Sequence, residues 1–599
     1  MRSRFVIPMK YGIGLFIIMF CWAAWAQPVY EQTIELSPGW NSVYLEVQPE
    51  PSDPEMLFQG LPVESVWTYV PRTSSVDFVR NPNEGLWNVP NWLVYKPEGQ
   101  LEAVTTNLYK IAVNRCYLIQ IGGTQQITWT VSGTPSLRKT KWVPNSLNLV
   151  GFPLDPDAPP TFRDYFEPSE AHAGQEIYQL NSNGTWGLIP DTTPMKSGEA
   201  YWVYCDGTSE YFGLLDIDSM GNSSFDYDTL LNEKQLLIKN LSDSGSITFE
   251  VRPSANPLAL SYWHFDEEEK VNVWPEFPSI HTIDAPQGYR KSLRLGVRRA
   301  DFIHDNAEQI LEIRDGMGSR YLLPLKAKVY RPPGYSPSMS RAAALTGLWA
   351  GRVSIRAVSE SQTGSQIPTA VSRAFNYRII VHVDANGVAR LLKHVVFMYT
   401  EGSYRQIENH IDPAQPLYEV SEIAKPVLLT DESRIPEFEG VVLLDSGDLI
   451  GRRLSTVAYD FEGSELEMVG NFGEIGNAIE PYKLVCNIIL ERDHPTNPFL
   501  HRYHPDHNNL DPFYLPYDTD PATGEPVVEE SFKVTRIMEF GFTEEPPTSA
   551  TPLGWGSSLL GGIFRETLSG LHKHDIVVEG EFRLELVSSA TELNLEVVP

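Results

Sequence analysis

Apolar and polar residues alternate in short runs along most of this chain, and turn residues cut the runs. In "AFNYRIIVHVDANGVARLLKHVVFMY" Phe375, Tyr377, Ile379, Val381 and Val383 take every second position, and Asp384 to Gly387 supplies a turn with Asn386-Gly387 at its heart. Alternation puts those side chains on one face of a strand, and Asn-Gly accepts the backbone of a tight turn, so a β-hairpin is predicted. "HDIVVEGEFRLEL" alternates as cleanly, with Ile576, Val578, Phe582, Leu584 and Leu586 on one face. In "YKLVCNIILER" Cys486 shares parity with Tyr482, Leu484, Ile488 and Leu490, which predicts an inert core thiol. Long helical periodicity is hard to find, and 46 prolines and 43 glycines separate the runs. The pattern predicts an all-β protein, a multi-domain chain of β-sandwich modules.

The chain also repeats itself. "GWNSVYLEVQP" from Gly39 matches "SLNLVGFPLDP" from Ser146 at an offset of 107, pairing Asn41 with Asn148 and Val43 with Val150. "NEGLWNVP" echoes "SNGTWGLIP", pairing Trp87 with Trp186, and "NRCYLIQIGG" matches "GEAYWVYCDG" at an offset of 84, pairing Tyr117 with Tyr201. Each copy opens with a strand, passes a Trp-bearing turn and closes with an aromatic strand that ends at a glycine. These motifs resemble the GWN…G-x-YW modules of secreted bacterial surface proteins, and the resemblance implies presentation or adhesion in place of chemistry. Residues 27–137 and 138–215 are therefore expected to form two similar β modules. The first copy has Arg115-Cys116-Tyr117-Leu118 where the second has Glu199-Ala200-Tyr201-Trp202, so its aromatic pair is incomplete.

Beyond the repeats, the acidic, Ser-rich "DIDSMGNSSFDYD" reads as a linker over residues 216–228. Its carboxylates lack the spacing of an EF-hand loop. "KQLLIKNLSDSGSITFEVRP" and "QILEIRDGMGSRYLLPLKAKVY" read as the first and last strand pairs of an immunoglobulin-like β-sandwich over 229–335. A Pro-rich tether, "RPPGYSPSMSR", leads to a C-terminal β-sandwich domain, 336–599, that is expected to fold alone. With "GLWAGRVSIRAVSES", "NPFLHRYHPDHNNLD" and "GLHKHDIVVEGEFRLEL", that domain resembles the C-terminal region of large secreted bacterial proteins, a family that supplies no activity to carry over.

Length and charge set the context. At 599 residues the chain exceeds one core. Residues 1–26 read as a signal peptide: Arg2, Arg4 and Lys10 precede the apolar "IGLFIIMFCWAAWA", which ends in an A-x-A site. The run is short for a bilayer span of ~20 residues, so no membrane span is expected after cleavage, and the mature protein is expected to be secreted, periplasmic or at the cell surface. Net charge is −30, with 77 acidic against 47 basic residues, which excludes a nucleic-acid partner. Past the signal, Cys116, Cys205 and Cys486 remain, and a disulfide between Cys116 and Cys205 stands beside free thiols as an alternative.

Standard chemistry is missing: there is no H-E-x-x-H, C-x-x-C, Walker loop or G-x-S-x-G. "DEEEK", Asp266 to Lys270, reads as a solvated face. Trp40, Trp67, Trp87, Trp186 and Trp202 suit a core first and a sugar-stacking platform second. The remaining signal is histidine. His501, His504 and His507 lie three apart beside Asp506 and Asp511, on a loop because residues i and i+3 of a strand point oppositely and Pro505 breaks a helix. His494 follows the strand that ends at Leu490, and His572 and His574 precede Ile576. If those two strands are antiparallel neighbours, the histidines gather at one rim. Imidazole with carboxylate suits a transition metal such as Zn²⁺, Asp506, Asn508 and Asp511 alone suit Ca²⁺, and a purely structural loop is the competing reading. The leading function is a secreted, non-catalytic cell-surface or extracellular scaffold or adhesion protein, with cell-surface polysaccharide or other envelope proteins as partners. A carbohydrate-binding protein using surface aromatics and a metal-dependent hydrolase centred on the His-rich loop are the alternatives.

Overall fold

The computed structural model describes the chain except for residues 1–28, 71–80, 82, 84–90, 138–140, 244, 255–257, 333–334, 362, 408–416, 441, 444–448, 476–483, 492–493, 499–532, 573 and 596–599. The protein is a multi-domain all-β chain whose few described helices are one turn or so long. Among the described residues no helix is long and apolar enough to cross a membrane. Two compact units emerge: Met1–Phe212 with Met317–Pro324, and Gly213–Gly316 with Leu325–Pro599.

In the first unit each repeat builds a four-stranded antiparallel sheet. The first copy uses β1 (Gly39–Leu45), β2 (Val63–Tyr69), β3 (Trp92–Tyr95) and β4 (Arg115–Ile121). The second uses β5 (Ser146–Gly151), β6 (Ile177–Leu180), β7 (Trp186–Leu188) and β8 (Ala200–Cys205). Both sheets have one order, β1-β4-β2-β3 and β5-β8-β6-β7, so the opening strand of each copy pairs with its closing strand.

Two repeated side chains show why. Asn41 closes the turn into β1, accepting from the Ser37 N–H at 2.8 Å and donating to the Ser37 carbonyl. Asn148 closes the turn into β5 in the same way on Val143. The hydroxyls of Tyr117 and Tyr201 each accept the N–H five residues upstream, from Ala112 and Lys196.

The copies share a core. Trp67, Trp92 and Leu118 from one sheet pack with Leu147, Trp186 and Trp202 from the other. Gly151 permits the approach, since a Cβ there would lie 2.2 Å from the Tyr44 side chain. No disulfide joins the copies: Cys116 and Cys205 are buried free thiols, Cys116 beside Tyr44 and Ala200. Burial pushes both thiols up, Cys205 to about 11, with Asp206 adding to the rise.

The second unit opens with a sandwich, and here the expected linker is corrected. Leu215–Asp218 edges one sheet, next to Glu233–Asn240, Arg290–Val297 and Leu260–Tyr262. Phe225–Asp226 runs parallel to residues 325–326 in the other sheet. Ile217, Phe225 and Tyr227 are buried between the acidic residues, an alternation that marks strands. Arg299, itself buried, fastens the segment by donating to the carbonyls of Tyr227, Asp228 and Leu231 and to Asn232.

The remainder is built on one nine-stranded sheet curled almost into a barrel, with a smaller three-stranded sheet of His394–Tyr399, Pro426–Leu429 and Arg452–Ser455 and two short strand pairs beside it. The strands of the large sheet are β9 (Gly347–Ser359), β10 (Pro368–Val383), β11 (Ala389–Leu392), β12 (Glu465–Glu467), β13 (Val469–Gly470), β14 (Leu484–Leu490), β15 (Val534–Phe542), β16 (Leu559–Ser569) and β17 (Ile576–Ser588). The order is β12-β11-β10-β9-β17-β16-β15-β14-β13. The two edge strands, β12 and β13, are separated only by Met468, so one bent segment joins the edges and nearly closes the ring. Inward-facing Trp349, Val353, Ile379, Cys486, Phe540, Phe564 and Phe582 fill the interior, as in small barrels whose lumen is packed. The β10–β11 hairpin turns at Asp384–Gly387, with Gly387 at φ +85°.

Candidate functional site

The strand ends define one rim of the barrel. Leu490, which ends β14, pairs with Val534, which starts β15; Ser569 ends β16 opposite Thr535; Ile576 starts β17 opposite Leu568. His494, which follows β14, and His572 and His574, in the β16–β17 connection, therefore leave the sheet at the same end. The route differs from the expectation, because β14 and β17 are not neighbours: β15 and β16 stand between them. At ~4.8 Å per strand, the two exits lie roughly 10–15 Å apart along the rim.

The individual imidazoles are used locally. His494 Nδ1 faces the Thr496 hydroxyl at 3.0 Å and accepts the Thr496 N–H at 3.3 Å, a turn that fixes itself. Asn497, at the start of the His-rich stretch, is 3% exposed and donates to the carbonyls of Leu490 and Glu491, holding the exit from β14. The exposed His574 ring packs over Gly364, and His572 is half-buried. Among the described residues no group of three or more His, Cys, Asp or Glu is placed to hold a metal ion. His501, His504, Asp506, His507 and Asp511 lie outside the described residues.

Beneath this rim is a pair that pattern reading missed. Arg536 Nε donates to Glu566 Oε1 at 2.6 Å and Nη1 to the Ala458 carbonyl, with Glu566 1% exposed. Burial works to lower the Arg536 pKa, but the Glu566 carboxylate outweighs it and the net shift is upward. Tyr377, beside them, is pushed well up by burial and by the Glu566 charge. A signal existed: Arg536 shares parity with Met538, Phe540 and Phe542, and Glu566 with Phe564, so both charges occupy inward positions. The pair is joined by a direct hydrogen bond and anchored to the backbone at Ala458, a polar contact at the edge of the packed interior.

The aromatics of the repeats are core residues. Trp67, Trp186 and Trp202 are buried and Trp40 is partly so, while Trp87 is outside the described residues. Trp202 meets Tyr69, Trp186 and Trp92 edge-on at 5.4–6.5 Å, the geometry of packed rings. Between the sandwich and the barrel of the second unit lies a cleft of about 420 Å³ lined by Leu230, Tyr335, Arg341, Trp349 and Ser558. Arg341 makes no ion pair among the described residues, and desolvation lowers its pKa.

Comparison with known proteins adds little to this geometry. No family model and no curated protein matches the chain. Among solved structures, a native-conformation E. coli alpha-2-macroglobulin aligns over 91% of this chain at 9% identity, with a TM-score of 0.12. The alignment covers 35% of that protein's chain, so this one spans about a third of its length. The assignment to all-β architecture thus rests on the chain's own sheets.

Proposed function

We propose that this protein is a non-catalytic scaffold or adhesion protein acting outside the cytoplasm, secreted or held at the cell surface, in which β modules present binding surfaces. The observation that carries the reading is the use made of the repeated residues. Asn41 and Asn148 close turns, Tyr117 and Tyr201 fix backbone, and the tryptophans fill a shared core. What the repeat preserves is a shape. The barrel interior is likewise occupied by side chains, which leaves its loops and the exposed part of its outer wall for contacts.

The test combines location with turnover. In cells expressing the full chain, externally added protease is expected to cleave it while the cells stay intact. Purified protein is expected to give no turnover on ester, phosphoester, glycoside and peptide substrates with Zn²⁺ or Ca²⁺ added. Metal-stimulated hydrolysis that a chelator abolishes, and that His572→Ala with His574→Ala reduces, would replace this reading with the hydrolase.

A further inference from the structure

Three arginines stand side by side on the outer wall of the barrel. Strands β10, β9 and β17 are neighbours, and their register sets Arg378 opposite Arg352 and Arg352 opposite Arg583. Residues directly opposite share a face, so the row crosses the strands with steps of ~4.8 Å. It faces solvent: the preceding Tyr377 and Phe582 and the following Val353 point into the core, and all three arginines are exposed.

Like charges directly opposite destabilise a sheet, and the nearby acids do little to relieve this row. Among the described residues Arg352 and Arg583 make no side-chain hydrogen bond or ion pair, and Arg378 spends only Nη1, on the Ser455 carbonyl at 3.0 Å. Glu581, one step along β17, is taken by Arg356 and Thr548. The row lines a cleft of about 470 Å³ with Asn376 and Glu585, so one carboxylate faces three guanidinium groups. Ala350 and Gly351 keep its floor low. In a chain with 77 acidic and 47 basic residues, three uncompensated cations in line run against the composition.

We propose that this row binds an anionic polysaccharide laid across the strands, its uronate carboxylates taken by the arginines. Guanidinium groups take carboxylates through two parallel hydrogen bonds, and the long, exposed arginine side chains can turn to meet carboxylates that point to different sides of a sugar chain. A nucleic acid fits less well. Its charge is denser against a protein of net −30, and among the described residues the outward positions of β9, β10 and β17 beside the arginines carry no aromatic ring for bases to stack on, while Tyr377, which borders the cleft, has its ring in the core. The inference deepens the scaffold reading by naming what one surface presents itself to, but binding is read on purified protein and does not depend on location.

The test titrates the full chain with polygalacturonate, neutral dextran, poly(dT) and polyglutamate by calorimetry at low and physiological salt. Binding to polygalacturonate alone is expected, weakening as salt rises. Each of Arg352→Gln, Arg378→Gln and Arg583→Gln is expected to weaken it by about tenfold, the triple variant to abolish it, and Arg565→Gln, outside the cleft, to leave it unchanged. Thermal midpoints at or above wild type show that the variants fold. No binding to polygalacturonate, equal binding by a folded triple variant, or tighter binding of poly(dT) or polyglutamate overturns the proposal.

Discussion

His172 shows how burial sets the behaviour of a single residue. Its ring lies 4.1 Å from that of Trp142 and 5.0 Å from that of Phe166, with Ser169 Oγ at 2.7 Å from Nδ1, and burial lowers its pKa to about 4. Unfolded, the same imidazole titrates near ~6.5. Between those values the unfolded chain binds more protons than the folded one, so stability rises with pH there and is lost as pH falls from about 6.5 to 4. The loss reaches about 3 kcal/mol. Amide exchange over residues 162–180, corrected for intrinsic rate, is expected to speed up between pH 7 and 4.5, and His172→Phe should flatten that dependence. Asn148 offers a second test at this scale. Asn148→Ala strands the Val143 N–H and carbonyl and should cost roughly 1–3 kcal/mol, read as a lower urea midpoint for the first unit. The sequence marks Asn41 and Asn148 as equivalent. Their task, closing a turn, depends on which backbone groups come within reach, and a one-dimensional pattern does not carry that.

At the scale of elements, alternation located the strands well, because a side chain's face depends only on its own strand. Phe375 to Val383, Leu484 to Leu490 and Phe582 to Leu584 were legible for that reason, although Phe375 itself is 61% exposed at the strand's outer end. Residues 216–228 were misread because acidic and serine residues outnumber the interleaved Ile217, Phe225 and Tyr227. The arginine row was invisible because each arginine is ordinary on the polar face of its own strand. Only register, set between distant segments, lines them up. The joint between β12 and β13 is likewise a property of pairing. Met468 is 4% exposed, and its N–H donates to the Ala389 carbonyl at 2.9 Å. Met468→Pro removes that donor at the place where the ring closes. Hydrogen exchange should then rise in the peptides carrying β11 and β14 while β9 and β17 stay protected; uniform protection throughout would mean that the joint is dispensable.

At the scale of the whole molecule, the barrel and the preceding sandwich are more entwined than the Pro-rich tether suggested. Leu553, 6% exposed, rests where a Cβ on Gly296 would stand, 2.4 Å from its side chain, and Asn232 donates to Ser558. Cutting the chain at 340 uncovers Leu553. A fragment of residues 340–599 is therefore expected to bind a hydrophobic dye and to melt below a fragment of residues 213–599. Equal melting and no dye binding would restore the tether as a true boundary.

The place of β17 also bears on how the protein is made. This strand, the last in chain order, lies between β9, the first strand of the barrel, and β16. A ribosome delivers β9 early, and its partner on that side emerges only when the rest of the barrel has been translated. Until then β9 and β16 each keep an unpaired edge, the kind of surface on which nascent chains pair wrongly with their neighbours. Distant pairing of this sort slows folding, and the ring of strands cannot close on that side until β17 has been made.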